Sequence, residues 1–227
     1  MWAVIITFIL IAVMVQVAFG MFFVVSGTPD TYHSCPFKNE KPWKWRVLYN
    51  DADFVLATQT TFPADDWTFI KEADVEDGTI AGEDNIKLHY WYVPGDAAKP
   101  TVLISHGRGM CMGKYEVVLR MNMLHRAGYN VMAIELRNHG GSDNNADKLY
   151  FWGTEEYQDY LTAIKFLEDK KSATKSRIGI MGSSFSGGVS AVVMGMEPTI
   201  KAAWVDSPAC DPKAILVFSA NNIAGGC

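Results

Sequence analysis

Cysteine is scarce and scattered. Cys35, Cys111, Cys210 and Cys227 form no CxxC pair and no Cys/His cluster at metal-ligand spacing, so neither a structural zinc nor a disulfide framework is indicated, and no metal or cofactor is expected. Basic runs are absent from both ends, and acidic residues outnumber basic ones 25 to 20, for a net charge of −5. The chain therefore lacks the electrostatic footprint of a nucleic-acid binder. Repeats and low-complexity stretches are missing too. With 49% apolar and 20% charged residues, the chain can bury one sizeable core and carries too little charge for a disordered segment.

Charge of either sign is also missing from Trp2 to Val25, where Gln16 is the only strongly polar side chain. As a helix this run crosses a hydrocarbon core of about 30 Å. A cleaved signal peptide would carry a basic n-region before a shorter apolar stretch, and no Lys or Arg precedes this one. The expectation is a single-pass transmembrane anchor over 1–25, a juxtamembrane lead-in over 26–66 and a globular domain over 67–227. Lys38, Lys41 and Lys44 follow the run, which by the positive-inside tendency places the domain in the cytoplasm. Trp43 and Trp45 either lie at the headgroup level or begin the globular domain.

Beyond residue 50, strand-like and helix-like segments alternate. Strands are predicted at 86–93, 101–105, 131–136, 178–181 and 202–205. Helices are predicted around Val117, Val118, Met121 and Leu124, from a Thr154 N-cap through Tyr157, Leu161, Ile164 and Leu167, and over 185–194. This alternation implies an α/β fold, a mostly parallel sheet with helices on both faces.

The chemistry-bearing segment is Met181-Gly182-Ser183-Ser184-Phe185-Ser186-Gly187-Gly188. A serine on a sharp strand-to-helix turn needs small neighbours two residues either side, because the backbone there is strained and passes close to adjacent chain. Centred on Ser184, Gly182 fills the first position and Ser186, followed by Gly187, the second. Centred on Ser186, Ser184 and Gly188 fill them. The first register is preferred because the apolar strand stops at Met181. Two further strand ends carry small or basic residues, His106-Gly107-Arg108-Gly109 and Arg137-Asn138-His139-Gly140-Gly141-Ser142-Asp143.

These three junctions, together with Trp152-Gly153-Thr154-Glu155-Glu156-Tyr157-Gln158-Asp159 and Val205-Asp206-Ser207-Pro208, resemble the α/β-hydrolase superfamily. The likeness is to its serine aminopeptidase and acylaminoacyl-peptidase branch and covers about residues 75–215. The resemblance implies Ser184 as nucleophile, the backbone N–H groups of Phe185 and Arg108 as oxyanion hole, and Gly182, Ser186, Gly187, His106 and Gly107 as support for the elbow and loops. It further implies an ester or peptide substrate, a small molecule or lipid ester included, and acyl transfer to water.

One part of that pattern is missing. The superfamily places its acid and then its histidine after the nucleophile, yet His33, His89, His106, His125 and His139 all precede Ser184. Asp206 and Asp211 are carboxylates without a following base. The expectation is a fold shortened before its last two strands, with strand 202–205 an exposed edge open to self-association. Two functions follow: a membrane-anchored serine hydrolase in shortened form, or a non-catalytic binding or scaffold module of the same fold.

Overall fold

A computed structural model describes residues 41–44, 69–82 and 84–208. Six strands, β1 (Glu76–Ala81), β2 (Lys87–Val93), β3 (Thr101–Ser105), β4 (Asn130–Ile134), β5 (Ile178–Ser183) and β6 (Ala202–Asp206), form one sheet in the order β1-β2-β4-β3-β5-β6. The last four are parallel to one another, whereas β2 is antiparallel to both β1 and β4. Three helices connect them: α1 (Tyr115–Arg126), α2 (Tyr157–Lys171) and α3 (Phe185–Met196).

Period-2 alternation splits the apolar side chains between two cores. On one face Leu88, Tyr90, Leu103, Met132, Ile134 and Ile180 pack under α2 and α3 through Tyr160, Ile164, Leu167, Val189 and Val193. On the other, Trp91, Val93, Ile104, Val131 and Ala133 pack under α1 through Val117, Val118 and Met121. The expected two-faced parallel arrangement is present, with helices on both sides. Inside α1 a polar residue, Asn122, is fully buried. Its side-chain oxygen accepts the amides of Phe69 and Ile70 at 2.9 and 3.1 Å, and its nitrogen donates to Pro42 O at 2.9 Å. Residues 41–44, expected in the lead-in, are thereby fixed to the globular domain.

Several expectations need correction. β1 lies outside the predicted strands; its residues Glu76-Asp77-Gly78-Thr79-Ile80-Ala81 bury only Ile80, and cross-strand polar pairing with β2 holds it. β5 runs to Ser183 rather than Met181, because Gly182 continues the extended backbone in register with Ser105 of β3. Thr154 does not cap α2: its hydroxyl donates to Phe151 O at 2.8 Å in the preceding turn, and the helix begins at Tyr157. Cys111 is disulfide-bonded, which the scattered spacing of the cysteines concealed. Among the described residues no helix is long and apolar enough to cross a membrane and no cluster suited to a metal ion occurs. The span expected over 1–25, most of the lead-in, His33, Asp211 and the other three cysteines lie outside those residues.

Candidate active site

Ser184 stands alone between two regular elements. It follows the last residue of β5 and precedes the first of α3, with φ 54° and ψ −115°, a region that costs a non-glycine residue about 1–3 kcal/mol and persists only where the surroundings enforce it. The enforcement is visible. The Ser184 amide donates to Asp206 O at 2.8 Å, and its carbonyl accepts the Gly188 amide at 3.1 Å. Ser184 is exposed, while Ser183, Phe185, Ser186 and Gly187 around it are buried.

The small residues on either side have separate reasons. A Cβ on Gly182 would lie 2.3 Å from Ser186 O, so glycine alone allows α3 to press against β5. Gly187 backs onto the end of β6, where a Cβ would meet Asp206 O at 3.2 Å. Ser186, the other candidate centre, is fully buried within α3. Its hydroxyl accepts the Ser183 amide at 2.9 Å and faces Ser105 O and Ser183 O at 3.1 Å each, tying the ends of β3 and β5 together.

The loop after β3 lies beside the corner. A Cβ on Gly107 would come 3.5 Å from Ser184 Cβ. Arg108 and Gly109, the latter at φ 68°, form the middle of a turn closed by Met110 N–H on Gly107 O at 3.2 Å. Phe185 opens α3, so its N–H has no intrahelical acceptor and carries the positive end of the helix dipole. An aromatic wall flanks it: Tyr150 and Trp152 meet the Phe185 ring edge-on at 5.5 and 5.6 Å, and the Arg108 guanidinium lies 5.6 Å over Trp152. Tyr150 belongs to none of the motifs or apolar stripes visible in the sequence.

The loop histidines are committed elsewhere. His106 Nδ1 lies 2.8 Å from Gly107 O and its Nε2 3.3 Å from Leu136 N; His139 Nδ1 lies 2.9 Å from Arg137 O and its Nε2 3.1 Å from Gly109 N. A carbonyl only accepts, so Nδ1 carries the proton in both rings and Nε2 accepts a backbone amide. Burial lowers the His106 pKa further, and both rings act as neutral braces between the β3 and β4 loops. None of the four described histidines bonds to Ser184. A cleft of about 640 Å³ between the end of β1 and α2, lined by Ile80, Asp84, Leu161 and Lys165 among others, contains none of the corner residues.

A second cluster holds the loops from below. Glu135, 6% exposed, accepts His89 Nδ1 at 2.8 Å and the Gly141 and Met112 amides at 2.6 and 3.2 Å. His89 Nε2 meets Asp77 at 2.7 Å, and Asp77 in turn faces Trp91 Nε1 and Lys41. Burial works against a charge on His89, but Glu135 and Asp77 outweigh it and raise its pKa above the ordinary 6.5. Burial likewise opposes the carboxylates, yet His89 holds both below their usual values of 4.5 and 3.8. The raised histidine stabilises the fold fully below about pH 6.5 and loses that contribution as pH climbs through its folded pKa. The lowered acids contribute above their ordinary values and lose it as pH falls. The thermal midpoint of the full chain is therefore expected to fall on the alkaline side of neutrality, and His89→Gln to flatten that limb. Parallel pH curves for the two proteins would contradict the cluster's role.

With this geometry in place, the likenesses to known proteins carry specific weight. The family described as Serine aminopeptidase, S33, matches residues 96–224, more than half of the chain. The chain belongs to this family. Within the α/β-hydrolase superfamily, this S33 domain is 28% identical to the esterase Pf2001 of Pyrococcus furiosus, with a TM-score of 0.55 over 65% of this chain and 53% of that one. GrgF of a Penicillium species, an α/β hydrolase, shares the fold at a TM-score of 0.55 and 17% identity, over 66% of this chain and 54% of that one. Acylamino-acid-releasing enzyme 1 of Oryza sativa subsp. japonica is 21% identical over 193 residues, covering 81% of this chain and 25% of its own length. The chain thus spans about half of the esterase and a quarter of the plant relative.

Proposed function

We propose that the chain is a membrane-anchored serine hydrolase, acting on ester or amide bonds of a small-molecule, lipid-ester or peptide substrate through an acyl group on Ser184. The observation that carries this reading is the exposed Ser184 at a strained strand-to-helix corner, with Phe185 opening a helix behind it and the Gly107–Arg108 turn alongside. In the proposed reaction Ser184 Oγ bonds to the substrate carbonyl carbon and the carbonyl electron pair moves onto oxygen, towards the Phe185 and Arg108 amides. The alcohol or amine then leaves with a proton, and water releases the acid. The base that accepts the Ser184 proton comes from outside the described residues.

The apolar run over 1–25 supports the anchor. The disulfide at Cys111 supports an oxidising compartment for the domain 67–227, whereas Lys38, Lys41 and Lys44 favour the cytoplasmic side by the positive-inside tendency. Trp204, 63% exposed on the sheet-edge strand β6, supports self-association along that edge.

A fluorophosphonate probe is expected to label the full chain at Ser184 and to leave Ser184→Ala unlabelled. Well-folded protein that resists the probe would favour the second reading, a non-catalytic binding module. That reading draws its support from His106 and His139, whose ring nitrogens are occupied by backbone groups.

A further inference from the structure

Arg120, halfway along α1, reaches the carboxyl ends of two strands at once. Its Nη1 donates to Ser183 Oγ at 2.9 Å and its Nη2 to Asp206 Oδ2 at 2.8 Å. Those two residues flank the Ser184 corner from opposite sides. Ser183 is joined to Ser184 through the chain, and Asp206 holds the Ser184 amide through its backbone carbonyl at 2.8 Å. One planar guanidinium thus bridges both attachments of a residue whose φ and ψ lie outside the ordinary regions.

Stability alone does not explain this placement. Asp206 is 43% exposed and Arg120 18%, and a solvated ion pair of that kind contributes little to folding. What the fork supplies is geometry: two parallel donors in a fixed plane set the spacing of the β5 and β6 ends. It also balances the Asp206 carboxylate, a negative charge beside the serine at which an oxyanion would form, and engages that carboxylate so that it is not available to orient a base.

We infer that Arg120 is a positioning residue for Ser184, a clamp beneath the corner that holds the hydroxyl and the Phe185 amide in a fixed relation. The inference rests on reading Ser184 as the nucleophile. Lysine at this position would keep the charge opposite Asp206 but could not serve both oxygens in one plane.

The test compares wild-type full chain with Arg120→Met, Arg120→Lys and Ser183→Ala. It measures fluorophosphonate labelling rate, hydrogen exchange at the Ser184 and Phe185 amides, and thermal midpoint. Arg120→Met is expected to slow labelling about tenfold or more, since small misplacements of reacting atoms are costly. It should also speed exchange at the Ser184 amide at least tenfold while the midpoint stays within about 3 °C. Arg120→Lys should recover part of both effects. Ser183→Ala, which keeps the ion pair, should move both in the same direction by less, and it reads the clamp even where Arg120→Met does not fold. Unchanged labelling and exchange in Arg120→Met or Ser183→Ala would overturn the inference, as would changes that follow a general loss of stability with no recovery in Arg120→Lys. A wild type that takes no label would sink the nucleophile reading by itself, and exchange at the Ser184 amide would still decide whether the clamp exists.

Discussion

Asp159→Ala is expected to cost about 3–5 kcal/mol of folding stability, the range for stripping one partner from a buried ion pair. Arg137, which follows the end of β4, is 4% exposed in its side chain, and Asp159, in the first turn of α2, is 1% exposed. The Arg137 amide, Nε and Nη2 all donate to Asp159, at 2.8, 2.8 and 2.7 Å. Asp84 at 2.7 Å and Glu155 at 3.6 Å complete the surround. Burial pushes the Asp159 pKa up to about 6, against the pull of Arg137, so at pH 7 the pair is still ionised, and without Asp159 the buried guanidinium keeps only the half-exposed Asp84 and Glu155. Denaturant midpoints read the cost directly. Removing both charges with Arg137→Met and Asp159→Leu should recover much of the loss, because the desolvation term vanishes with them. A single variant within 1 kcal/mol of wild type, on the scale of an ordinary surface change, would show that water reaches Arg137.

The consequence extends to the candidate site. Arg137 O fixes the Nδ1 side of His139, and His139 Nε2 holds the Gly109 amide at 3.1 Å. Gly109 belongs to the same turn as Arg108. A displaced Arg137 therefore propagates through one ring to the proposed oxyanion turn, and Asp159→Ala protein that remains folded should label more slowly with a fluorophosphonate.

How much of this was legible in the sequence depended on where each residue's partners lie. β3, β4 and β5 were readable because strands buried on both faces are continuous apolar runs, and α1 and α2 because their stripes recur at helical spacing. β1 was not, since its stabilising contacts are Glu76 to Tyr90 at 2.6 Å and Asp77 to His89, cross-strand polar pairs that leave no hydrophobic alternation. Ser184 stood out because Gly182 and Gly187 report local backbone crowding at short sequence separation. Arg120 did not. Its partners are 63 and 86 residues away, and within α1 it reads as one more solvated charge. The Cys111 disulfide was hidden because four scattered cysteines carry no spacing signature that fixes a pairing.

Local crowding sets the other large effect. Gly182→Ala is expected to destabilise the domain by about 1–3 kcal/mol, as overpacking does, and to lower fluorophosphonate labelling about a hundredfold, the scale of a 1 Å misplacement. The added methyl would sit 2.3 Å from Ser186 O, 2.5 Å from Ser186 C and 2.6 Å from Ser190 Oγ. Two of those atoms are backbone of the first turn of α3 and cannot rotate away. The helix must lift from β5, carrying the Phe185 amide with it, while Ser184 stays tethered to Asp206 O. Gly107→Ala supplies the contrast. Its methyl would meet Ser184 Cβ at 3.5 Å and Ser183 O at 3.7 Å, ordinary contacts that leave the unfolding midpoint near wild type. If Gly182→Ala also melts and labels like wild type, α3 does not rest on β5 at this point, and the strain at Ser184 has some other origin.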